Sequence, residues 1–455
     1  MEELPQLPPE VWVYVFSFLS TEEKHAVRTC CRYLRNLVDH PSLWRDYTVM
    51  LSDLRRYTYG FWETLQKRNL TRVAVRHLRR KEWRRLVILL PTLTAIVFMD
   101  GGRFYKQKYL DILTRFPNLR DLGVRNAAWN EPMLGRQLTQ QVRERLTHLS
   151  VCNVRLTDSV DFINAVSHLV NLRFLLFHQH GEMYGLDTVR PVPRSVFHNL
   201  LLSLKKLKHL SWGMKGEPLE LLPDDYFSPA DPNQPGAARY DGPALTSLEL
   251  VDYPENILSG NALTSLTSLR SLTVHYKYAR EGKERRLGSW LEPLHQLETL
   301  TIIGGNSLAA YTTRIPPTVT RLTLRLALTL KDMDSIAPRG LQHLDIEQNR
   351  SSGSLCRRIT MLFPQLRTLR IRFLHREPDK DLLSLHRLRH LVQLELLVER
   401  LFILRDYLNG HPWPSPCVKE LITQLRQLSG NRITVITAMR QRNLLRECDC
   451  MWEGD

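Results

Sequence analysis

The chain has 455 residues, 43% of them hydrophobic, enough to bury one or more sizeable cores, and its length corresponds to about three ordinary domains unless a repeat array replaces them. Lys and Arg number 63 against 47 Asp and Glu, a formal charge of +16 that favours acidic partners, nucleic acid or anionic surfaces without choosing among them. Seven cysteines in no regular framework argue against a secreted disulfide scaffold and predict reduced thiols, no signal peptide is expected, and the longest charge-free run, Leu86 to Met99, is too short to span a bilayer.

Leu7-Pro8-Pro9-Glu10 opens a helix near Pro9, because proline suits a first turn whose N–H groups have no partner and an early glutamate suits the helix dipole. Val11, Trp12, Val15, Phe16 and Leu19 follow at helical spacing on one broad apolar face. Ser20 and Glu23 have capping-box spacing, and Ala26, Val27, Cys30, Cys31, Leu34, Leu37 and Val38 form a second stripe closed by His40-Pro41. The pattern predicts a hairpin of two helices, too small to bury its own apolar surface, so the stripes must pack on the rest of the chain, on a partner, or on both.

The order Leu7-Pro8-x-Glu10-Val11, Val15-Phe16-x-x-Leu19, Val27-x-x-Cys30 and Leu43-Trp44-Arg45 resembles the F-box, which docks substrate receptors onto the Skp-type adaptor of cullin-based ubiquitin ligases. Two positions depart from the family pattern: Glu23-Lys24 stands where an Asp-Leu pair is usual, and Tyr33 where a tryptophan is. The resemblance implies that Leu7, Pro8, Glu10, Val11, Phe16, Leu19, Val27, Cys30, Leu43 and Trp44 belong to the adaptor-binding surface or the hairpin core, without dividing one from the other.

Tyr47-Thr48-Val49-Met50-Leu51 has strand propensity, and from Leu70 a Leu-x-x-Leu-x-Leu pattern recurs, as at Leu93-Ile96-Phe98, Leu172-Leu175-Phe177, Leu269-Leu272-Val274 and Leu366-Leu369-Ile371. Most starts are 22 to 28 residues apart, the period of leucine-rich repeats. Each unit supplies a short strand whose apolar face is buried only by its neighbours, with Leu70-Val73-Val75 a first and Ile433-Val435 a last unit. Tyr109 to Pro117 and Phe162 to Leu169 have helical spacing between strands, and the units resemble the longer, helix-bearing repeats found in many F-box proteins. The interval from about 214 to 243 holds Pro218, Pro223, Pro229, Pro232 and Pro235 and predicts an exposed insertion.

No phosphate-binding loop, nucleophile elbow or zinc spacing is present, so no catalytic residue, metal site or cofactor is assigned; His178-Gln179-His180 and Cys448 with Cys450 are isolated pairs of the kind most often found on surfaces. Residues that alternate with the leucines face outward. Among them Arg125, Phe174, His178, Arg321, Arg325, Arg370 and Arg372 are candidate substrate contacts, the arginines suiting an acidic or phosphorylated segment. Asp345 and Glu347 on the intervening repeat offer the competing reading of an internal ion-pair ladder, and the insertion offers cover for Phe174 and His178. Basic runs at 76–85 and at Arg280, Lys283, Arg285 and Arg286 read either as nuclear-import or nucleic-acid contacts or as solvated faces.

The expectation is an α/β repeat solenoid: an all-α F-box hairpin at 1–47, then a horseshoe of about 12–14 leucine-rich repeats at 48–455. The F-box resemblance implies a non-catalytic substrate-recognition subunit of an SCF-type ubiquitin ligase complex, bound to a Skp-type adaptor and through it a cullin, in cytoplasm or nucleus, directing a protein to proteasomal degradation. Membrane contact is not expected and nucleic acid is not the favoured partner. The alternative is a repeat scaffold that binds protein or nucleic acid without ligase coupling.

Overall fold

The computed structural model describes residues 7–76, 80–99, 115–129, 140–156, 158–179, 192–214, 221–227, 242–253, 257–276, 286–305, 311–325, 330–336, 338–348, 354–373, 377–398, 413–437 and 446. The chain divides into two compact units, one running to Leu172 and the other from Arg173 to Arg442.

The first unit opens with helices α1 (Pro9–Ser17), α2 (Thr21–Cys30) and α3 (Arg32–Val38), then a short 3-10 turn at Pro41–Leu43. Two helices were expected. The second stripe is interrupted at Cys31, whose extended backbone (φ −156°, ψ 168°) ends α2 and caps α3, its sulfur accepting from the Leu34 N–H at 3.5 Å. Strands β1 (Val49–Leu51), β2 (Arg72–Arg76), β3 (Ala95–Met99), β4 (Asp121–Trp129) and β5 (His148–Leu156) follow, all parallel and paired in chain order. Parallel pairing requires a crossover after each strand, and helices at Tyr59–Lys67, Arg80–Leu89 and Gln140–Arg145 occupy three of these connections.

The second unit repeats the arrangement with β6 (Phe174–Gln179), β7 (His209–Gly213), β8 (Ser247–Tyr253), β9 (Ser271–Tyr276) and β10 (Thr299–Ile303). It continues with β11 (Arg321–Arg325), β12 (His343–Gln348), β13 (Thr368–Phe373), β14 (Gln393–Val398) and β15 (Thr434–Ile436), again parallel and in sequence order. The register places Leu175, Leu210, Leu248, Leu272, Leu300, Leu322, Leu344, Leu369 and Leu394 opposite one another, and every one is buried. Alternation of side chains along each strand puts Phe177, Trp212, Leu250, Val274, Ile302, Leu324, Ile346, Ile371 and Leu396 on the same buried face. From β9 to β14 the parallel sheet therefore has one leucine-lined face and one mostly polar face.

Connections here are helices, as at Arg194–Ser203, Leu355–Leu362 and Pro416–Leu428, or 3-10 segments, as at Thr312–Arg314 and Lys380–Arg387. In the first unit Ser159–Val166 is helical as its spacing predicted, whereas most of 109–117 lies outside the described residues. Beyond the third apolar residue of several strands the backbone turns through a left-handed residue, Asn126, Asn153 and Asp252 at φ 50 to 53° and Gly304 at φ 69°. Asn, Asp and Gly are the types that tolerate this conformation. Asn153 and Asn126 join through their side-chain amides at 2.8 Å.

Two expectations are corrected. Part of the proline-rich interval is packed: Leu222 bridges to Leu258, and Tyr226 and Phe227 are fully buried against Phe197, because a turn at 224–227 returns its aromatics to the core. Most of the remainder lies outside the described residues. Cys152, buried on β5, is disulfide-bonded, so the odd count and irregular spacing of cysteines did not predict its state; Cys30, Cys31, Cys356 and Cys417 are free thiols. No described helix is long and apolar enough to cross a membrane.

Candidate functional site

The N-terminal helices separate core from surface, a division their sequence leaves open. Ser20 caps α2 as its spacing predicts, the Glu23 N–H donating to the Ser20 hydroxyl at 3.2 Å while the Ser20 N–H donates to the Glu23 carboxylate at 2.7 Å. Glu23 is thus engaged in the cap, and hydrogen bonding to its carboxylate from the Ser20 backbone N–H, then from the Ser20 hydroxyl, holds its carboxyl below the ordinary value. Phe16, Leu34 and Val38 form the core, with Trp12, Leu19, Val27, Cys31, Leu37 and Leu43 packed around them. Trp44 is 1% exposed, and its indole N–H donates to the Val38 carbonyl at 2.6 Å. Phe16, Leu19, Val27, Leu43 and Trp44 are therefore core residues.

Leu7, Pro8, Glu10, Val11 and Cys30 lie at the surface. Leu7 and Val11 are joined there by Tyr14, Val15 and Phe18, making a strip along one side of α1 in which Tyr14 is 66% and Phe18 71% exposed. The Tyr14 and Phe18 rings meet edge to face at 4.9 Å. Tyr14 and Phe18 were missed as candidates; the signal was the spacing 7, 11, 14 and 18, which a helix gathers on one side. Large apolar groups held outward over a packed core are the feature expected of a docking face.

What holds this face to the rest of the first unit is a buried charge. Asp39, 2% exposed, sits just beyond α3. Arg68 Nε donates to Asp39 Oδ1 at 2.8 Å and Arg28 Nε lies 3.1 Å from both carboxylate oxygens. The Arg68 guanidinium also lies 3.6 Å from the Trp44 ring centroid, in cation–π geometry. Burial lowers the Arg68 pKa, and the Asp39 carboxylate opposes that shift. Arg28 Nη2 reaches the Thr64 hydroxyl at 3.2 Å and Lys67 Nζ the Asn36 amide oxygen at 2.9 Å. These contacts bind α2 and α3 to the helix that leads into β2.

On the polar face of the second unit the candidate arginines take different roles. Arg325 Nη2, Arg370 Nη1 and Arg372 Nε lie 3.5, 3.2 and 3.5 Å from the Asp345 carboxylate. Arg370 also pairs with Glu395 at 2.6 Å, and Gln393 donates to the other Glu395 oxygen at 2.6 Å. Burial, reinforced by Arg372, pulls Arg325 down to about 10 against the pull of Asp345 and Glu347. Burial also works against the Arg370 cation, but Asp345 and Glu395 outweigh it and raise its pKa. Arg325, Arg370 and Arg372 are thus met by Asp345, Glu347 and Glu395 across β11 to β14, an ion-pair ladder with charges of both signs. Arg321, at the start of β11 and two same-face positions before Arg325, is exposed.

The other candidates are enclosed. Arg125 is 2% exposed and donates to the Ser150 hydroxyl at 2.6 Å. Phe174 is buried with its ring stacked on His209 at 4.2 Å, and His178 Nε2 lies 2.9 Å from the Ser211 hydroxyl. His180, Arg79, Arg280, Lys283, Arg285, Cys448 and Cys450 lie outside the described residues, within which no group of three His, Cys, Asp or Glu side chains is placed to hold a metal ion.

Residues 4–49 match the F-box-like family model, the same stretch that forms the three helices, the Pro41–Leu43 turn and the entry to β1. No curated protein matches the chain. The chain carries an F-box-like domain at its N-terminal end, followed by an open sheet of parallel strands.

Proposed function

We propose that the chain is an F-box protein of the leucine-rich-repeat kind, a non-catalytic substrate-recognition subunit of an SCF-type ubiquitin ligase complex. Residues 1–47 form its adaptor-binding domain and 48–455 its repeat solenoid. The observation that carries the reading is the strip of Leu7, Val11, Tyr14, Val15 and Phe18 held outward over a packed core within the stretch that matches the F-box-like model. Burial of one such side chain contributes about 1.5–3 kcal/mol before association costs. The Skp-type adaptor covers this strip and brings the cullin. The polar sheet face holds a protein substrate for ubiquitination and degradation in cytoplasm or nucleus, and tethering supplies the rate gain by raising the local concentration of the target lysine.

The departure at Glu23-Lys24 supports a second reading, a scaffold without ligase coupling. It is weakened by geometry, since Glu23 is used in the cap and Lys24 Nζ donates to the Leu43 carbonyl at 3.5 Å, so both side chains are engaged within the helical element. Co-purification from cells distinguishes the two. Recovery of adaptor and cullin with the intact chain, lost in a Leu7→Ala/Phe18→Ala variant that still folds, supports the ligase reading. A folded intact chain that recovers neither refutes it.

A further inference from the structure

The register of the second unit aligns Thr299, Arg321, His343, Thr368 and Gln393 on the entry side of β10 to β14, with the exposed Arg367 immediately before β13. The carboxylates nearby already have cations. Glu298 pairs with Arg270 at 2.9 Å, Asp345 is shared by three arginines, and Glu395 is held by Arg370 and Gln393. Neither Arg321 nor Arg367 has a carboxylate partner among the described residues. The patch thus presents two guanidinium groups, an imidazole and two threonine hydroxyls beside a ladder that offers little net charge.

We propose that Arg321, His343 and Arg367 bind a carboxylate-rich, extended segment of the partner protein, with Thr299 and Thr368 supplying hydroxyl donors. This rests on the reading of the sheet face as the substrate side and narrows the recognised chemistry. Adjacent strands lie about 4.8 Å apart, so Arg321 and Arg367 stand roughly 10 Å apart across β11 to β13. Donors spread over that span suit two or three single charges along a peptide better than one compact dianion. A nucleic-acid backbone fits worse, because its continuous phosphates need a longer basic track, and this one is bordered by Asp345 and Glu395.

An ionic consequence follows. Burial, then Arg321 and Arg367, lowers the His343 pKa in the free protein. The other charged groups on this face of the flanking strands are Arg325 on β11, Arg370 and Arg372 on β13, and Asp345 and Glu347 on its own strand. A bound carboxylate favours the imidazolium and raises the pKa, so binding takes up a proton and tightens as pH falls toward the free-protein value.

The test uses the purified full chain and a fluorescein-labelled peptide of alternating glutamate and serine, read by anisotropy at low salt, beside a glutamine–serine peptide and a phosphoserine peptide lacking glutamate. The expected result is binding of the glutamate peptide, weakened about tenfold or more in Arg321→Ala/Arg367→Ala, unchanged in Lys419→Ala on a distant helix, and tighter at pH 6 than at pH 8 in a His343-dependent way. Absence of binding, equal weakening by Lys419→Ala, or binding of the phosphoserine peptide alone overturns the proposal. The assay contains no adaptor. Loss of adaptor co-purification therefore leaves it untouched, while a chain that recovers adaptor yet fails here refutes this site alone.

Discussion

Removing the Asp39 carboxylate loosens the whole N-terminal helical element. In Asp39→Asn the Arg68 guanidinium, whose side chain is 5% exposed, keeps its burial but loses the ion 2.7 Å away. Breaking a buried pair from one side costs about 3–5 kcal/mol, because the remaining charge is left uncompensated. With about 1.36 kcal/mol per decade, amides of α1 to α3 that open as a unit exchange roughly two to four orders of magnitude faster. The readout is hydrogen exchange followed by mass spectrometry on peptides from 7–67, with peptides from β9 to β13 as internal controls. Asp39→Asn/Arg68→Met removes both charges while keeping a long side chain over Trp44, and it recovers most of the loss, since apolar replacement of a buried pair is often neutral. A change below tenfold in the single variant, or a double variant no better than the single, refutes the assignment of Asp39 as the anchor.

Other perturbations separate core from surface. Phe16→Ala, at the centre of the helical core, is expected to cost about 3–5 kcal/mol and to abolish the α1 to α3 signal in exchange, whereas Phe18→Ala, exposed at 71%, leaves that signal unchanged and weakens adaptor binding by about ten- to a hundredfold in a surface-immobilised titration. Leu300→Ala, in the middle of the leucine row, opens a cavity worth about 3–5 kcal/mol, measurable as a lower urea midpoint. Arg370→Ala leaves Asp345 and Glu395 facing each other without their shared cation; a loss of about 1–3 kcal/mol is expected, largely restored when Glu395→Gln is added, and an unchanged urea midpoint contradicts the ladder.

Local patterns were legible and non-local partners were not. The Leu-x-x-Leu-x-Leu spacing specifies which residues of each strand face inward, because alternation is a property of the strand itself; the buried row from Leu175 to Leu394 follows from it. The Ser20–Glu23 cap was equally local. The break at Cys31 was hidden because its apolar stripe keeps helical spacing across the interruption. Tyr14 and Phe18 were overlooked because α1 carries two apolar sides, and only packing of Phe16 against Leu34 and Val38 decides which is inward. Asp39 and Arg68 are 29 residues apart and form no motif. Alternation puts Arg321, Arg325, Arg370 and Arg372 on one face of their strands. Which of them are neutralised depends on strand register, which sets Arg370 between Asp345 and Glu395 and leaves Arg321 at the edge.

The most direct test of the central claim is calorimetric titration of a purified Skp-type adaptor into the folded chain at several temperatures. The account predicts specific binding with a negative heat-capacity change, the mark of apolar burial, and loss of that binding in Val11→Ser/Phe18→Ser with exchange protection of α1 to α3 intact. Absence of binding by the intact folded chain, or undiminished binding by the variant, contradicts it.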